Sequence, residues 1–360
     1  MTNLSQGLRR LRGRSKLLRD GWHLVTAVRM ESRGRHSTFQ TIRSLLAEQE
    51  CPAFTRALHW VQRNELETGG IRVHTRHRAA YAEVTGYFMP TLLAYGEAEL
   101  AARCARWLIS VQAADGSYAD PDRGLPYIFD TGQVLRGLVA TIDIIPEAAA
   151  AARRAADYLC QQAVDGGRAG FDVRFHNNTD PQSLHLYVLP PLIQAADVFG
   201  EPRYAEIAER CLEHYVCRPD ALRIETLTHF LGYEIEALID LGHNDLALPV
   251  LNQLRRLQGN DGSLRGEGGQ EWVCTPGLAQ MAVCWYKTGQ RQPADNALAW
   301  IEKRQLWCGG FYGSYGPRAA YFPDVVPAWA VKFYLDAHRL RLLSSLRDAK
   351  PIQSRPPSQG

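Results

Sequence analysis

Six segments that are apolar on nearly every side alternate along this chain with six that are apolar on one side only. The first set covers residues 83–95, 129–144, 183–199, 228–241, 274–288 and 325–340. The second covers 53–64, 97–112, 147–163, 201–216, 244–257 and 292–304. In the second set apolar residues recur at three and four residues, the period of a helix with one buried face. A helix apolar all round must instead be enclosed by its neighbours. Gly96, Gly200, Gly242 and Gly289 fall where inner helices should end. Only a few residues separate each from the next one-sided helix, so each pair reads as an antiparallel hairpin. An open stack of such hairpins leaves its end faces exposed, whereas a closed ring covers the whole inner set. The expected fold is therefore all-α, an (α/α)6 toroid of six inner and six outer helices. Its limits are expected at residues 50–342, preceded by a partly helical arm (1–49). A tail (343–360), rich in proline near its end and without apolar periodicity, is expected to be disordered.

Between Arg9 and Arg35 eight arginines and Lys16 face only Asp20 and Glu31, although the net charge of the whole chain is +3. Such an arm is either solvated or a contact for a polyanion such as anionic lipid. Peripheral membrane contact is an expected use of it, and nucleic acid is not an expected partner. No apolar stretch follows the basic start, and none is long enough to span a membrane. The eight cysteines contain no Cys-x-x-Cys pair, and Cys104, Cys211 and Cys284 take apolar helix positions. A reduced, cytoplasmic protein without structural zinc or other cofactor is expected.

The connections that return to the inner helices carry a second repeat. Gln112-Ala-Ala-Asp-Gly-Ser-Tyr118, Gln258-Gly-Asn-Asp-Gly-Ser-Leu264 and Gly309-Gly-Phe-Tyr-Gly-Ser-Tyr315 share a Gly-Ser pair before an aromatic or apolar residue. This resembles the Gln…Gly-Ser-aromatic loops of the terpenoid cyclase and protein prenyltransferase toroids, in which the glutamine caps a neighbouring helix end. The resemblance covers about residues 50–340 and implies the toroid more than any activity. The Asp-x-Asp-Asp acid of class II cyclases is absent, since Asp120-Pro-Asp122-Arg123 lacks the final pair. A convincing zinc trio is also missing. The inner segments are similar in style to another paired-helix group, which includes uronyl C5-epimerases, unsaturated glucuronyl hydrolases and polysaccharide lyases. Thr228-His-Phe-Leu-Gly-Tyr-Glu-Ile-Glu236 resembles their histidine-bearing helices. Tyr81-Ala-Glu-Val-Thr-Gly-Tyr87 and Tyr127-Ile-Phe-Asp-Thr-Gly-Gln133 resemble segments of proteins of bacterial surface-polysaccharide synthesis.

In such a ring all inner helices run in one sense, so their N-termini, with unpaired N–H groups and positive dipole ends, gather at one rim. Polar residues concentrate there. The expected partner is an oligosaccharide or polysaccharide containing uronate. In the leading scheme a proton is abstracted beside the carboxylate, giving C5-epimerisation or β-elimination. His229 or Tyr233 would be the base and Tyr87 or His185 the opposing acid. Gln133, Arg174 and Asn177 would hold the carboxylate. In the nearest variant Glu83, Asp130 and Glu234 supply paired carboxylates for hydrolysis. His176, Asn178, Tyr187, Trp272, Tyr315, Tyr321 and Asp324 are expected to contact the sugar. Structural roles compete with these. Asp130 could cap its helix, His229 and Tyr233 could be a satisfied buried pair, and residues 176–180 could form an Asx-rich turn. A prenyl-binding toroid and a non-catalytic glycan-binding protein are the other classes left open. No metal site stands out.

Overall fold

The computed structural model describes residues 51–172 and 182–348. The expectations for the arm and for Arg174, His176, Asn177 and Asn178 therefore fall outside the described residues. The outer helices are α1 (Pro52–Arg63), α3 (Ala98–Val111), α5 (Ala148–Gln161), α7 (Pro202–Val216), α9 (Asn244–Leu257) and α11 (Arg291–Glu302). The inner ones are α2 (Ala82–Ala94), α4 (Ile128–Thr141), α6 (Leu189–Phe199), α8 (Thr228–Asp240), α10 (Thr275–Lys287) and α12 (Ala328–Asp348). The described sheet is a single two-residue antiparallel pair, β1 (Val273–Cys274) with β2 (Ser314–Tyr315).

The fold is the (α/α)6 toroid, and its burial follows the sequence pattern. Every residue of α10 from Thr275 to Tyr286 is buried, whereas α9 buries only Ala247, Leu251 and Leu254. Each inner helix packs on the next around the axis, and α12 returns to α2. That last seam carries its own bonds. Thr91 donates to Asp336 at 2.6 Å, Tyr95 donates to the Leu335 carbonyl at 2.7 Å, and Ala328 N–H reaches the Val73 carbonyl at 2.9 Å.

One inner contact is unusually close. A Cβ on Gly137 would meet the Gly86 carbonyl oxygen at 2.3 Å, and one on Gly86 would meet the backbone of Gln133 and Val134 at 2.6 Å. The backbones of α2 and α4 therefore touch. Pro90, inside α2, has no N–H to offer the Gly86 carbonyl four residues earlier, which leaves that oxygen to the neighbouring helix.

The glutamine loops tie the hairpins together. Gln112 Nε2 donates to the Gly116 carbonyl of its own loop and the Ala151 carbonyl of α5 at 3.1 and 2.9 Å. Gln258 repeats this on Gly262 and on Pro293 of α11. The third copy is not 309–315, as the Gly-Ser match suggests, but Gln305 to Phe311. Gln305 donates to Gly309 and to Ala53 of α1 at 2.9 and 2.7 Å, and Arg56 donates to its Oε1. In all three, the glycine four residues on has φ near +90° and lies against a backbone carbonyl of the next outer helix, of Arg154, Asn296 or Arg56. Any side chain there would be strained and would clash. The match missed the third copy because Gly310 replaces its serine.

Two boundaries differ from expectation. Residues 182–188 wind as a 3-10 helix before α6, because Pro190 and Pro191 remove the N–H groups that would bond carbonyls in that turn. The last helix runs beyond 342 to Asp348. Arg341 pairs with Glu302 of α11 at 2.6 Å and, past 342, Ser345 accepts from Arg291 of α11 at 3.0 Å, so contacts with α11 continue beyond the apolar periodicity.

Candidate active site

The beginnings of α2, α4, α8 and α12, with the 3-10 turn, enclose a cavity of about 380 Å³. Half of its sixteen lining residues are aromatic: Tyr81, Tyr127, Phe129, Phe230, Tyr233, Tyr321, Phe322 and Trp329. Among them stand the carboxylates of Glu83, Asp120 and Asp130, the Arg123 guanidinium, and His185 and His229. Flat apolar faces with a few fixed polar groups suit a pyranose ring.

Glu83 and Asp130 occupy the first turns of α2 and α4, the two helices whose backbones touch. Neither caps its helix, since the N-cap positions are Tyr81 and Tyr127. Burial, then the negative charges of Glu83 and Asp120, hold the Asp130 carboxyl well above the usual carboxylate range. The helix dipole opposes this but does not cancel it.

His229 and Tyr233 share a face of α8, one turn apart, and both line the cavity while bonding to each other. The Tyr233 hydroxyl lies 3.2 Å from His229 Nε2, and His229 Nδ1 lies 2.5 Å from Oε1 of Gln280 on α10. Burial brings the His229 pKa down to about 3, so the imidazole is neutral. His185 donates from Nδ1 to the Gln182 carbonyl at 2.9 Å and is among the lining residues, its ring packed near Phe171 and Tyr215.

Other expected residues sit elsewhere, mostly because helical spacing carries them a turn deeper. Tyr87, one turn below Glu83, is buried beneath the cavity floor. Tyr187 lies under the floor too, its hydroxyl 3.2 Å from Glu236 and its ring beneath the Arg136 guanidinium. Gln133 is buried and accepts from Arg136 at 3.1 Å. Glu234 points out of the ring and ties its helix to loops, accepting from Ser183 at 2.6 Å and Leu222 N–H at 2.5 Å. Burial pushes its pKa up to about 7. Trp272 is buried over Gly266. The Tyr315 hydroxyl is spent on the Arg304 carbonyl and Tyr312 N–H. Asp324 is exposed and pairs with Arg76 at 2.5 Å. Of the aromatic contacts expected from the loops, Tyr321 reaches the cavity.

Sequence reading missed the loop between α3 and α4, which contributes Asp120 and Arg123. That loop is fastened through Asp122, which accepts from Tyr81 and lies 3.0 Å from His77 Nε2. Also missed was a charged layer under the floor. Lys287 bridges Glu236 and Asp240 at 2.8 and 2.7 Å, and Lys332 pairs with Asp336 at 2.9 Å. No group of three His, Cys, Asp or Glu side chains suited to a metal ion occurs among the described residues. No described helix is long and apolar enough to cross a membrane.

The sequence matches no family model and no curated protein. Solved structures are similar in fold. An unsaturated glucuronyl hydrolase from Bacillus sp. GL1, responsible for glycosaminoglycan degradation, is 19% identical with a TM-score of 0.62, over 81% of this chain and 96% of that one. An unsaturated glucuronyl hydrolase specific for heparin is 14% identical at TM-score 0.63, over 83% of this chain and 98% of that one. A novel alpha-amylase from Clostridium perfringens is 12% identical at TM-score 0.62, over 80% and 97%. At these identities the likeness establishes the shared toroid. The glucuronyl hydrolases belong to the paired-helix sugar group that the inner segments resemble.

Proposed function

We propose that this chain is a glycoside hydrolase that cleaves a uronate-containing glycan with Glu83 and Asp130. The observation that carries this is the placement of two carboxyl groups, from the first turns of touching helices, in one aromatic cavity. Asp130, whose carboxyl burial and the Glu83 charge shift toward the protonated form, suits the general acid that protonates the glycosidic oxygen. Glu83 then either takes a proton from the attacking water or attacks the anomeric carbon itself. Arg123 is the one arginine on the described lining and is suited to the substrate carboxylate. The hydrolases among the similar structures support this choice over the epimerase or lyase scheme.

A second reading, epimerisation or elimination, keeps one observation in its favour: the Gln280–His229–Tyr233 line of hydrogen bonds at the cavity wall. Against it, Tyr87, one of its two candidate acids, is buried and does not line the cavity, which leaves His185 alone for that role.

One experiment separates the two. Purified protein is incubated in deuterated water with saturated and 4,5-unsaturated uronate oligosaccharides and followed by NMR. New reducing ends without deuterium at C5 support hydrolysis, and the first anomer released tells whether Glu83 activates water or attacks. Deuterium at C5, or a new double bond, would overturn hydrolysis in favour of the second reading.

A further inference from the structure

Behind the cavity wall, Gln280, His229 and Tyr233 form a line from the interior of α10 to the cavity. Gln280 is fully buried inside an apolar helix. It packs closely against the α8 backbone, since a Cβ on Gly232 would meet Cβ, Cδ and Oε1 of Gln280 at 2.9 Å each. The His229 ring lies nearly parallel to Trp329, 8° between planes at 6.4 Å. An amide oxygen only accepts, so the proton of the neutral imidazole must lie on Nδ1, leaving Nε2 as an acceptor. Facing Nε2 is the Tyr233 hydroxyl at 3.2 Å, which therefore donates inward.

We propose that Gln280 is a positioning residue: by fixing His229 as the Nδ1–H tautomer, it commits the Tyr233 proton to His229 and leaves the Tyr233 oxygen facing the cavity as an acceptor for a sugar hydroxyl. This rests on the reading that the cavity is the substrate site. A hydroxyl donated to Tyr233 would be matched in place, and a deoxy or O-methylated sugar at that position would leave a buried acceptor unpaired. The line thus makes Tyr233 a selector of substrates that keep this hydroxyl. It requires neither ionised tyrosine nor imidazolium, both of which burial disfavours.

The test pairs nitrogen-15 NMR of histidine-labelled protein with kinetics. Wild type should show His229 protonated at Nδ1 and bare at Nε2, Gln280→Glu should keep that pattern, and Gln280→Leu should lose it. With melting temperatures confirming the fold, kcat/KM should fall about 10- to 100-fold in Gln280→Leu and recover in part in Gln280→Glu. In a Tyr233→Phe background, Gln280→Leu should cost nothing further, because it acts through that hydroxyl. A wild-type His229 protonated at Nε2 would overturn the proposal and leave the hydrolase reading intact. So would a tautomer change with unaltered kcat/KM. If Asp130→Asn and Glu83→Gln are instead as active as wild type, the hydrolase reading falls while the tautomer assignment stands.

Discussion

The Asp130 carboxyl gives up its proton less readily in the folded protein than in the unfolded chain. Burial and the neighbouring Glu83 charge raise its pKa in the folded protein, so native and unfolded states diverge as pH rises past the ordinary carboxylate value. The unfolded chain ionises first, and stability is lost between the unfolded and folded pKa values and stays lost above the latter. Asp130→Asn should therefore raise the melting temperature at neutral pH while lowering kcat by about 100-fold or more. A lower melting temperature at neutral pH would mean that the carboxylate is a structural anchor. The same logic orders the pH profile: activity that needs protonated Asp130 falls as pH rises through its pKa, and Asp130→Asn abolishes that alkaline limb. These two carboxylates were legible in the sequence because they open apolar segments, where a charge stands out against its surroundings. Lys332, Asp336 and Gln280 were not. They lie deeper in segments that read simply as apolar. Lys332 and Asp336 pair one turn apart on α12, while Gln280 meets His229 of α8 and Asp336 also accepts from Thr91 of α2. Tyr87 and Gln133 were placed a turn too high, since spacing gives a residue's face but not its depth.

The pairing of α2 with α4 decides how near the two carboxylates stand. Gly137→Ala would force a methyl group against the Gly86 carbonyl, which it would meet at 2.3 Å. Relief requires the helices to separate, at a cost of about 1–3 kcal/mol. Because Glu83 and Asp130 ride on the same two helices, kcat should drop more than KM rises. A stable protein with normal kcat would show that the carboxylate geometry is set elsewhere. One layer down, Lys287 joins α10 to α8 through Glu236 and Asp240. Its two partners hold the Lys287 pKa above the usual lysine range despite burial, and Glu236 is held down to about 2 against its own burial by Lys287 and Lys332. Removing one member strands buried charge, so Lys287→Met should destabilise by about 3–5 kcal/mol in urea unfolding. The Glu236 contribution is present above the unfolded carboxylate pKa and is lost as pH falls toward about 2. The excess cost of Lys287→Met should therefore shrink in strong acid, and a pH-independent cost would assign it to packing. The alternation of apolar and one-sided helices made these elements readable in advance. The 3-10 turn at 182–188 was not anticipated, although Pro190 and Pro191 signal it.

At the scale of the molecule, a ring differs from a stack in having no terminal repeat. The inner seam closes through Thr91–Asp336 and Tyr95–Leu335, and the outer seam through Gln305, which binds α1 as Gln112 binds α5 and Gln258 binds α11. Each glutamine makes the same two donations, so its loss should cost a similar amount wherever it sits, about 1–3 kcal/mol. The consequence differs in kind at the seam. Gln112→Ala loosens a hairpin whose neighbours are continuous with it in the chain, whereas Gln305→Ala loosens α1, tied to the last loop only by non-covalent contacts. Hydrogen exchange should therefore quicken in the first turn of α1 for Gln305→Ala and be unchanged there for Gln112→Ala or Gln258→Ala. If all three variants leave α1 equally protected, closure is carried by the inner helices alone and the glutamine loops serve only their own hairpins. If α1 is released and activity falls with it, the seam also holds the cavity. Phe322 and Trp329 line the cavity, and the loop before α12 is fastened where Thr75 N–H meets the Val326 carbonyl and Ala328 N–H meets Val73. The part of the site that comes from the last helix is in this way held by the first residues of the ring.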